Sequence, residues 1–268
     1  MNAFAHHFNF EFRTGIRNKQ LLLMNYLFPL SLYLMMGFIM PSVYPPFREV
    51  IIPAMVVLAV LASTLLGIPD PLVNARENGI FRSYKINGVP SLSILVIPGL
   101  TTILHLAIVV TIITISAPLL FDAPLPSNWF SYVVIVVALA IACAGISVLI
   151  GVISPSSRMT VLWSQIIFVP SMILGGMMMP LSLMPEIVGK FARLFPATHG
   201  MNALTGLAMG YEATFSPWGS VIVLLSSGIL AFGLAVYLFS WDSRNTTRLG
   251  SPWLALLVLL PYVLAIFL

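Results

Sequence analysis

Long apolar stretches alternate with short polar connections along most of the chain. Six of these stretches contain no charged residue and approach or exceed the about 20 residues that a helix needs to cross the hydrocarbon core of a bilayer. They are residues 21–40, 50–69, 92–121, 129–153, 161–179 and 219–240. The pattern predicts an all-α, polytopic bundle of six transmembrane helices.

A seventh apolar stretch, residues 253–268, has only 16 residues and contains Pro261. We expect it to form a seventh span; the alternatives are a tilted helix and one that lies partly in the membrane interface. The chain is therefore predicted to consist of a cytoplasmic interfacial segment, residues 1–20, and a single transmembrane domain, residues 21–268.

Composition excludes a water-soluble protein. Apolar residues make up 59% of the chain and charged residues 7%, and the mean hydropathy is +1.04. Soluble domains carry about 25% charged residues, so this chain lacks the polar side chains that a surface in water requires. A soluble enzyme and a DNA-binding domain are excluded. The single cysteine, Cys143, excludes an internal disulfide and a cysteine-rich metal site.

The few positive charges indicate the orientation. Nine lie in connections on the side of the N-terminus and three on the opposite side, which places the N-terminus in the cytoplasm. The net charge of +4 therefore reflects topology rather than nucleic-acid binding. The nine are Arg13, Arg17, Lys19, Arg76, Arg82, Lys85, Arg158, Arg244 and Arg248, and the three are Arg48, Lys190 and Arg193.

Apolar residues recur at four-residue spacing before the first span. This spacing predicts a helix over residues 4–19 that lies on the cytoplasmic leaflet; the alternative is an ordinary juxtamembrane anchor. The residues are Phe4, Phe8, Phe12 and Ile16.

The connection between the second and third spans, residues 70–91, is the longest polar segment on the cytoplasmic side. Asp70-Pro71 is a typical helix start, and Asn78-Gly79 and Asn87-Gly88 are typical stops. The stops leave a short amphipathic helix, residues 80–86. Such a helix is suited to a groove on a soluble partner, and a solvated loop is the alternative. Its apolar residues are Ile80, Phe81 and Tyr84, and its charged ones are Arg82 and Lys85.

On the opposite side, the connection 180–217 is unusually apolar for a loop. Residues 186–195 have one apolar face, and Glu186 and Lys190 are spaced for a weak ion pair. Phe195-Pro196 interrupts the pattern, which then continues through Gly200. Two short helices broken at a proline predict a re-entrant pair that dips into the outer leaflet. An extracellular cap of two helices is the alternative.

Catalytic and nucleotide-binding motifs are missing from the sequence. The Gly189-Lys190 pair is followed by Phe191, so it does not form a P-loop. No predicted span has an acidic or basic residue away from its ends, which disfavours a pump with a carboxylate relay. We predict no catalytic, cofactor-binding or metal-binding residue in this chain.

Two features at depth are candidates for a substrate path. His105 is a titratable group near the middle of the third apolar stretch, where a neutral histidine bonded to a neighbouring helix is the structural alternative. Methionines near Gly175-Gly176 provide a soft apolar surface, with ordinary core packing as the alternative. They include Met172, Met177 and Met178.

The segment that begins Arg76-Glu77-Asn78-Gly79 and ends at Pro90 resembles the Arg-Glu-x-Gly stretch in the membrane subunit of type-2 ATP-binding-cassette (ABC) exporters. Residues 4–20 and 180–210 are similar to the interfacial helix and the re-entrant pair of that family. The resemblance covers residues 4 to about 241, whereas the run from Trp253 departs from the six-span pattern. It implies an ATPase-coupling role for Arg76, Glu77, Gly79, Ile80, Phe81, Arg82, Tyr84 and Lys85.

The resemblance implies a permease, not an enzyme, that works with a second membrane subunit and with a separate cytoplasmic ATPase. ATP and Mg²⁺ would bind to that partner. We expect export of a lipophilic drug, antibiotic, lipid or glycan across a bacterial cell membrane. Two other functions remain open: an integral-membrane enzyme on lipid-linked substrates, with the polar residues near Asp70 as its site, and an ion-coupled secondary transporter that uses His105.

Overall fold

The computed structural model describes residues 8–9, 12–13, 17–242 and 250–267, and this part of the chain contains helices and no strand. Six helices are long and apolar enough to cross a membrane, and we number them spans 1 to 6 in chain order. Each contains most of one predicted stretch, so the all-α, six-span prediction is confirmed. The spans are Leu23–Val43, Phe47–Glu77, Ser91–Phe121, Trp129–Ile153, Ser157–Leu174 and Pro217–Leu238.

Span 2 continues beyond the predicted stretch into the following polar segment. A π-helical turn, Ala62–Leu66, interrupts it, and the helix resumes at Pro69, one residue before the predicted cap at Asp70. A Cβ atom on Gly67 would lie 2.3 Å from the carbonyl oxygen of Ser63, so the irregular turn requires glycine there.

Span 5 begins and ends earlier than the predicted stretch. Its last helical residue is Leu174, because Gly176 adopts a left-handed conformation with φ of 83° and stops the helix. Met177 and Met178 therefore lie in the connection that follows the span rather than within it.

The spans differ strongly in the share of their residues that the rest of the chain buries. In the most apolar 18-residue window of each span, 94% of the residues of span 2 and 72% of those of span 4 are buried. These two helices therefore form the centre of the bundle. The corresponding values for spans 1 and 5 are 28% and 22%. Spans 1 and 5 are therefore peripheral and leave wide apolar faces exposed.

Spans 4 and 6 approach each other until their backbones touch. A Cβ atom on Gly145 would lie 2.8 Å from the carbonyl oxygen of Gly228, and one on Gly228 would lie 3.0 Å from Cα of Ala142. Small residues permit such close contact between membrane helices. Gly151 contacts the side chain of Leu72 in span 2 instead.

The C-terminal apolar segment, Pro252–Ile266, packs along span 6. It combines a 3₁₀ helix, Pro252–Leu259, with one short α-helix, Leu260–Ile266. The hydroxyl of Tyr262 lies 2.8 Å from that of Ser227 in the middle of span 6. The segment is shorter than the six spans, and its crossing of the membrane stays a prediction.

Candidate functional site

The segment of residues 70–91 forms two short helices in series. The first ends at Glu77, and the second is Ile80–Ile86, as the two Asn-Gly pairs predict. Gly79 and Gly88 have φ angles of 76° and 72°, which glycine adopts without strain. The turn at Gly79 therefore separates the two helices, and the turn at Gly88 ends the second.

Arg76 connects this segment to span 4. Its side chain is only 5% exposed. Nη1 donates a hydrogen bond of 2.7 Å to the carbonyl of Val152, and Nη2 donates one to the carbonyl of Ser154. These carbonyls lie at the C-terminus of span 4, where a positive charge is favourable. Arg76 thus caps a membrane helix from within the protein.

Asn74 makes a similar connection to span 5. Its Nδ2 donates to the carboxylate of Asp70 at 2.9 Å, and its Oδ1 accepts a hydrogen bond of 3.0 Å from the hydroxyl of Ser157. Ser157 is the first residue of span 5. The polar residues near Asp70 are therefore used to hold helix ends together.

The second helix is attached to the end of span 6. The ring of Phe81, which is 4% exposed, lies 5.7 Å from that of Phe239 between centroids. Arg82 forms an ion pair of 2.5 Å with Asp242. Both partners follow the last residue of span 6, so movement of the short helix would move the end of this span.

The outer surface of the segment remains exposed. Ile86 is 87% exposed and Ile80 42% exposed, an unusual position for two large apolar side chains in a polar connection. Glu77 and Lys85 are exposed near them, whereas Tyr84 is half-buried and packs on the core. We call Glu77, Ile80, Lys85 and Ile86 the outer face of the 70–91 segment.

The N-terminal aromatic residues contact span 3. The rings of Phe8 and Phe12 lie 6.4 Å apart, and Phe12 stacks on His105 at 4.8 Å. Nδ1 of His105 is 2.7 Å from the hydroxyl of Tyr26 in span 1. Ile16 lies outside the described residues. The bond to Tyr26 is the contact expected of a structural histidine, and a role of His105 in a substrate path stays a prediction.

The helices Glu186–Ala192 and Pro196–Ala203, which we call the 186–203 pair, lie between spans 5 and 6 in the chain. All eight residues of the second helix are buried. A Cβ atom on Gly200 would lie 2.9 Å from Leu139 and 3.3 Å from Val57. Each of these contacts lies ten residues from the start of its span, which is about 15 Å along a helix. The second helix thus packs beside the middle of span 4 and the first half of span 2.

The first helix of the pair is largely exposed. Lys190 and Glu186 form the ion pair that their spacing predicts, at 2.6 Å. This neighbouring ammonium group lowers the pKa of the Glu186 carboxyl below its usual value. Ile187 is 82% exposed and Phe191 51% exposed, so this helix presents apolar side chains to its surroundings.

Two polar residues of the second helix hold it in place, although the sequence pattern did not single them out. Nε2 of His199 donates to the carbonyl of Arg193 at 2.8 Å. Asn202 accepts a hydrogen bond of 3.0 Å from the backbone N–H of Thr214 and donates one of 2.9 Å to the carbonyl of Phe215. The signal that could have identified them is the presence of His199 and Asn202 in an otherwise small and apolar helix after Pro196.

The candidate methionines do not form one surface. Met177 is 2% exposed and belongs to the core, whereas Met178 is 38% exposed and Met172 is half-buried. Met178 alone of these three presents a large exposed apolar side chain.

Comparison with known proteins identifies the family. Residues 3–209 match the family described as ABC-2 type transporter. The chain belongs to the ABC-2 type transporter family. As an ABC-2 protein it is a multi-pass membrane protein, and the match includes spans 1 to 5, the 70–91 segment and the 186–203 pair.

A relative of this ABC-2 chain is the protein named ABC transporter G family member 20 from Dictyostelium discoideum. The two are 24% identical over 214 residues, which cover 76% of this chain and 29% of that protein. The chain thus spans less than a third of the length of this relative.

Proposed function

We propose that the chain is the transmembrane subunit of an ABC exporter, driven by a separate cytoplasmic ATPase and paired with a second membrane subunit. The observation that carries the proposal is the 70–91 segment. Its outer face presents Ile86, while Arg76 and Arg82 bind the ends of two spans. A soluble partner can transmit force to membrane helices only through an exposed surface that is firmly joined to them.

The attachments supply the mechanism. The segment continues span 2, Arg76 caps span 4, and Phe81 and Arg82 contact the end of span 6. Closure of the ATPase against the outer face would shift these three helices together. Such closure drives transport only if the ATPase binds the two states of the permease with different affinity.

The apolar character of the spans supports a lipophilic cargo. Fewer than a third of the residues in the apolar windows of spans 1 and 5 are buried, and the exposed residues are mainly leucine, isoleucine, valine and methionine. We propose a drug, antibiotic, lipid or glycan as substrate, a path between two membrane subunits, and a bacterial cell membrane as location. The N-terminus would lie in the cytoplasm, on the side of the 70–91 segment.

The contacts weaken the other two functions. Asp70, Asn74 and Arg76 are engaged with each other or with spans 4 and 5, and an enzyme site would need such groups open to substrate. The ring of His105 is 2% exposed and stacked beneath Phe12, which gives a transported ion no evident access.

The proposal is tested with the purified chain, reconstituted with its ATPase in lipid vesicles. Ile86→Glu should reduce substrate-stimulated ATP hydrolysis about tenfold, because a charge replaces an apolar contact at an interface. Ile187→Glu is the matched control, since this isoleucine is 82% exposed on the opposite side of the protein. Undiminished coupling in Ile86→Glu would refute the assignment of the outer face. Transport driven by a proton gradient without any ATPase would refute the function.

A further inference from the structure

The C-terminal segment, Pro252–Ile266, begins beside the end of span 6. A Cβ atom on Gly250 would lie 2.9 Å from the ring of Tyr237 and 3.0 Å from the side chain of Leu238. This is the end of span 6 to which the helix Ile80–Ile86 is attached. The start of the segment therefore lies next to the attachment point of the 70–91 segment.

The segment extends from there to the middle of span 6. Its 3₁₀ part rises about 2 Å per residue and its α-helical part about 1.5 Å, so Tyr262 lies about 19 Å from Pro252. The hydrogen-bond partner of Tyr262 is Ser227, which lies about 16 Å along span 6 from its last residue, Leu238. The two lengths agree, so the segment runs back along span 6 rather than across it.

The segment is buried along one face. Val258, Tyr262 and Ala265 are buried at helical spacing. Leu260 and Leu264, on the other side, are 51% and 62% exposed. The segment thus docks onto the bundle through the face that contains Tyr262.

A hydrogen bond fixes the ring of Tyr262. Ser227 donates its hydroxyl proton to the carbonyl of Leu224 at 2.9 Å, so the hydroxyl of Tyr262 is the donor in its 2.8 Å bond to Ser227. Loss of this bond would leave a buried polar group without a partner, which is costly in an apolar interior. The bond therefore holds the ring in one orientation.

The ring of Tyr262 contacts the second helix of the 186–203 pair. Its centroid lies 5.5 Å from that of His199, whose position is fixed by the bond to the carbonyl of Arg193. Span 6 holds the same helix three residues later, where Asn202 donates to the hydroxyl of Ser220 at 3.2 Å. The second helix is thus held by span 6 at one position and by the C-terminal segment at another.

We propose that the C-terminal segment is a rigid link that makes the second helix of the 186–203 pair move together with the 70–91 segment, with Tyr262 as the positioning residue. The proposal rests on the proposed function, in which the ATPase moves the 70–91 segment. Closely packed side chains shift together rather than deform, so a shift at the end of span 6 would reach His199 through Tyr262. The segment lies outside residues 3–209, which match the ABC-2 family, so that match assigns it no role.

Hydrogen exchange of the purified chain in lipid vesicles tests the contact without an ATPase. Tyr262→Leu removes the ring and the hydroxyl, so exchange of the amides in Pro196–Ala203 should become about tenfold faster as that helix opens more easily. Leu264→Ala is the matched control, because this leucine lies in the same short helix and is 62% exposed. It should leave the exchange unchanged. Unchanged exchange in Tyr262→Leu, or equal acceleration by both variants, would overturn the proposal.

The complex with the ATPase tests the link itself. A non-hydrolysable ATP analogue should change the exchange of Ile80–Ile86 and of Pro196–Ala203. In Tyr262→Leu the first change should persist, whereas the second should fall about fivefold, in line with typical coupling between sites. Tyr262→Phe keeps the ring against His199 and should restore most of the second change. A residue that only stabilises the fold would not separate the two responses.

The possible outcomes distinguish the link from the proposed function. A full response of Pro196–Ala203 in Tyr262→Leu would refute the link, and so would a Tyr262→Phe variant that behaves like Tyr262→Leu. No response of Ile80–Ile86 in the unmodified complex would refute the proposed function and the link with it. The exchange measured without the ATPase would still decide whether Tyr262 holds the pair.

Discussion

The 70–91 segment and the 186–203 pair are both connections between spans, yet different forces hold them in place. Charged and polar side chains attach the first to helix ends, as in the bonds from Arg76 to span 4 and from Arg82 to Asp242. The second helix of the pair is held by complete burial, with Gly200 against Leu139. It is also held by hydrogen bonds of His199 and Asn202 to backbone groups, with no role for the exposed ion pair of the first helix. One segment retains an exposed face, and the other inserts into the bundle.

Under the proposed function, this difference gives the two ends of the protein different roles. A segment held at discrete points can move the helices to which it is bound while its outer face contacts a partner. A helix enclosed between spans 2 and 4 has no such freedom, because packed interiors resist small displacements. The 186–203 pair is thus better suited to close or shape a path than to transmit force.

Substitution of Gly200 should have the largest effect on stability. Gly200→Leu would place its side chain where Leu139 and Val57 already lie, and overpacking of this kind costs about 3 kcal/mol. We expect a large loss of folded, monodisperse protein in detergent and a lower melting temperature. The measurement is size-exclusion chromatography with a thermal melt.

Gly189→Leu is the matched control for this substitution. It lies on the first helix of the same pair, and a Cβ atom there would meet nothing within 4 Å. A normal yield for Gly189→Leu beside a poor yield for Gly200→Leu would confirm that packing holds the pair. Equal yields would contradict it.

The sequence predicted the fold well because the relevant signals are local. Charge-free stretches of sufficient length identified all six spans, and the Asn-Gly pairs located the helix Ile80–Ile86. The limits of spans 2 and 5 were less accurate, because they depend on Gly67 and Gly176. At such positions backbone geometry, not hydropathy, determines where a helix ends or becomes irregular.

The contacts of the candidate site were harder to predict, because they join residues far apart in the chain. Nothing near Arg76 in the sequence indicates that it caps span 4, which ends more than 70 residues later. Phe81 is apolar in a polar segment, and this pattern alone does not distinguish a contact with Phe239 from one with a partner.

Substitution of Arg76 should have an intermediate effect on stability. Comparison with Lys85 separates the loss of the bonds to span 4 from the loss of an exposed charge in the same segment. Arg76→Gln removes the charge-assisted bonds to the end of span 4, and bonds of this type contribute about 2 kcal/mol. Both the melting temperature and ATPase coupling should fall. Lys85→Gln removes an exposed positive charge of the same segment and should leave the melting temperature unchanged. An unaltered melting temperature in Arg76→Gln would show that the bonds to span 4 do not hold the segment.

Substitution of Lys190 should have the smallest effect on stability. It tests whether ion pairs stabilise the 70–91 segment but not the 186–203 pair. Lys190 pairs with Glu186 on an exposed helix face, where water and ions screen the interaction and the side chains lose freedom on pairing. Lys190→Ala should therefore leave the melting temperature unchanged at low and at high salt, while the pKa of Glu186 rises toward its ordinary value. A clear, salt-sensitive loss of stability would mean that ion pairs also hold the 186–203 pair. The contrast between a segment held by charges and a helix pair held by packing would then be wrong.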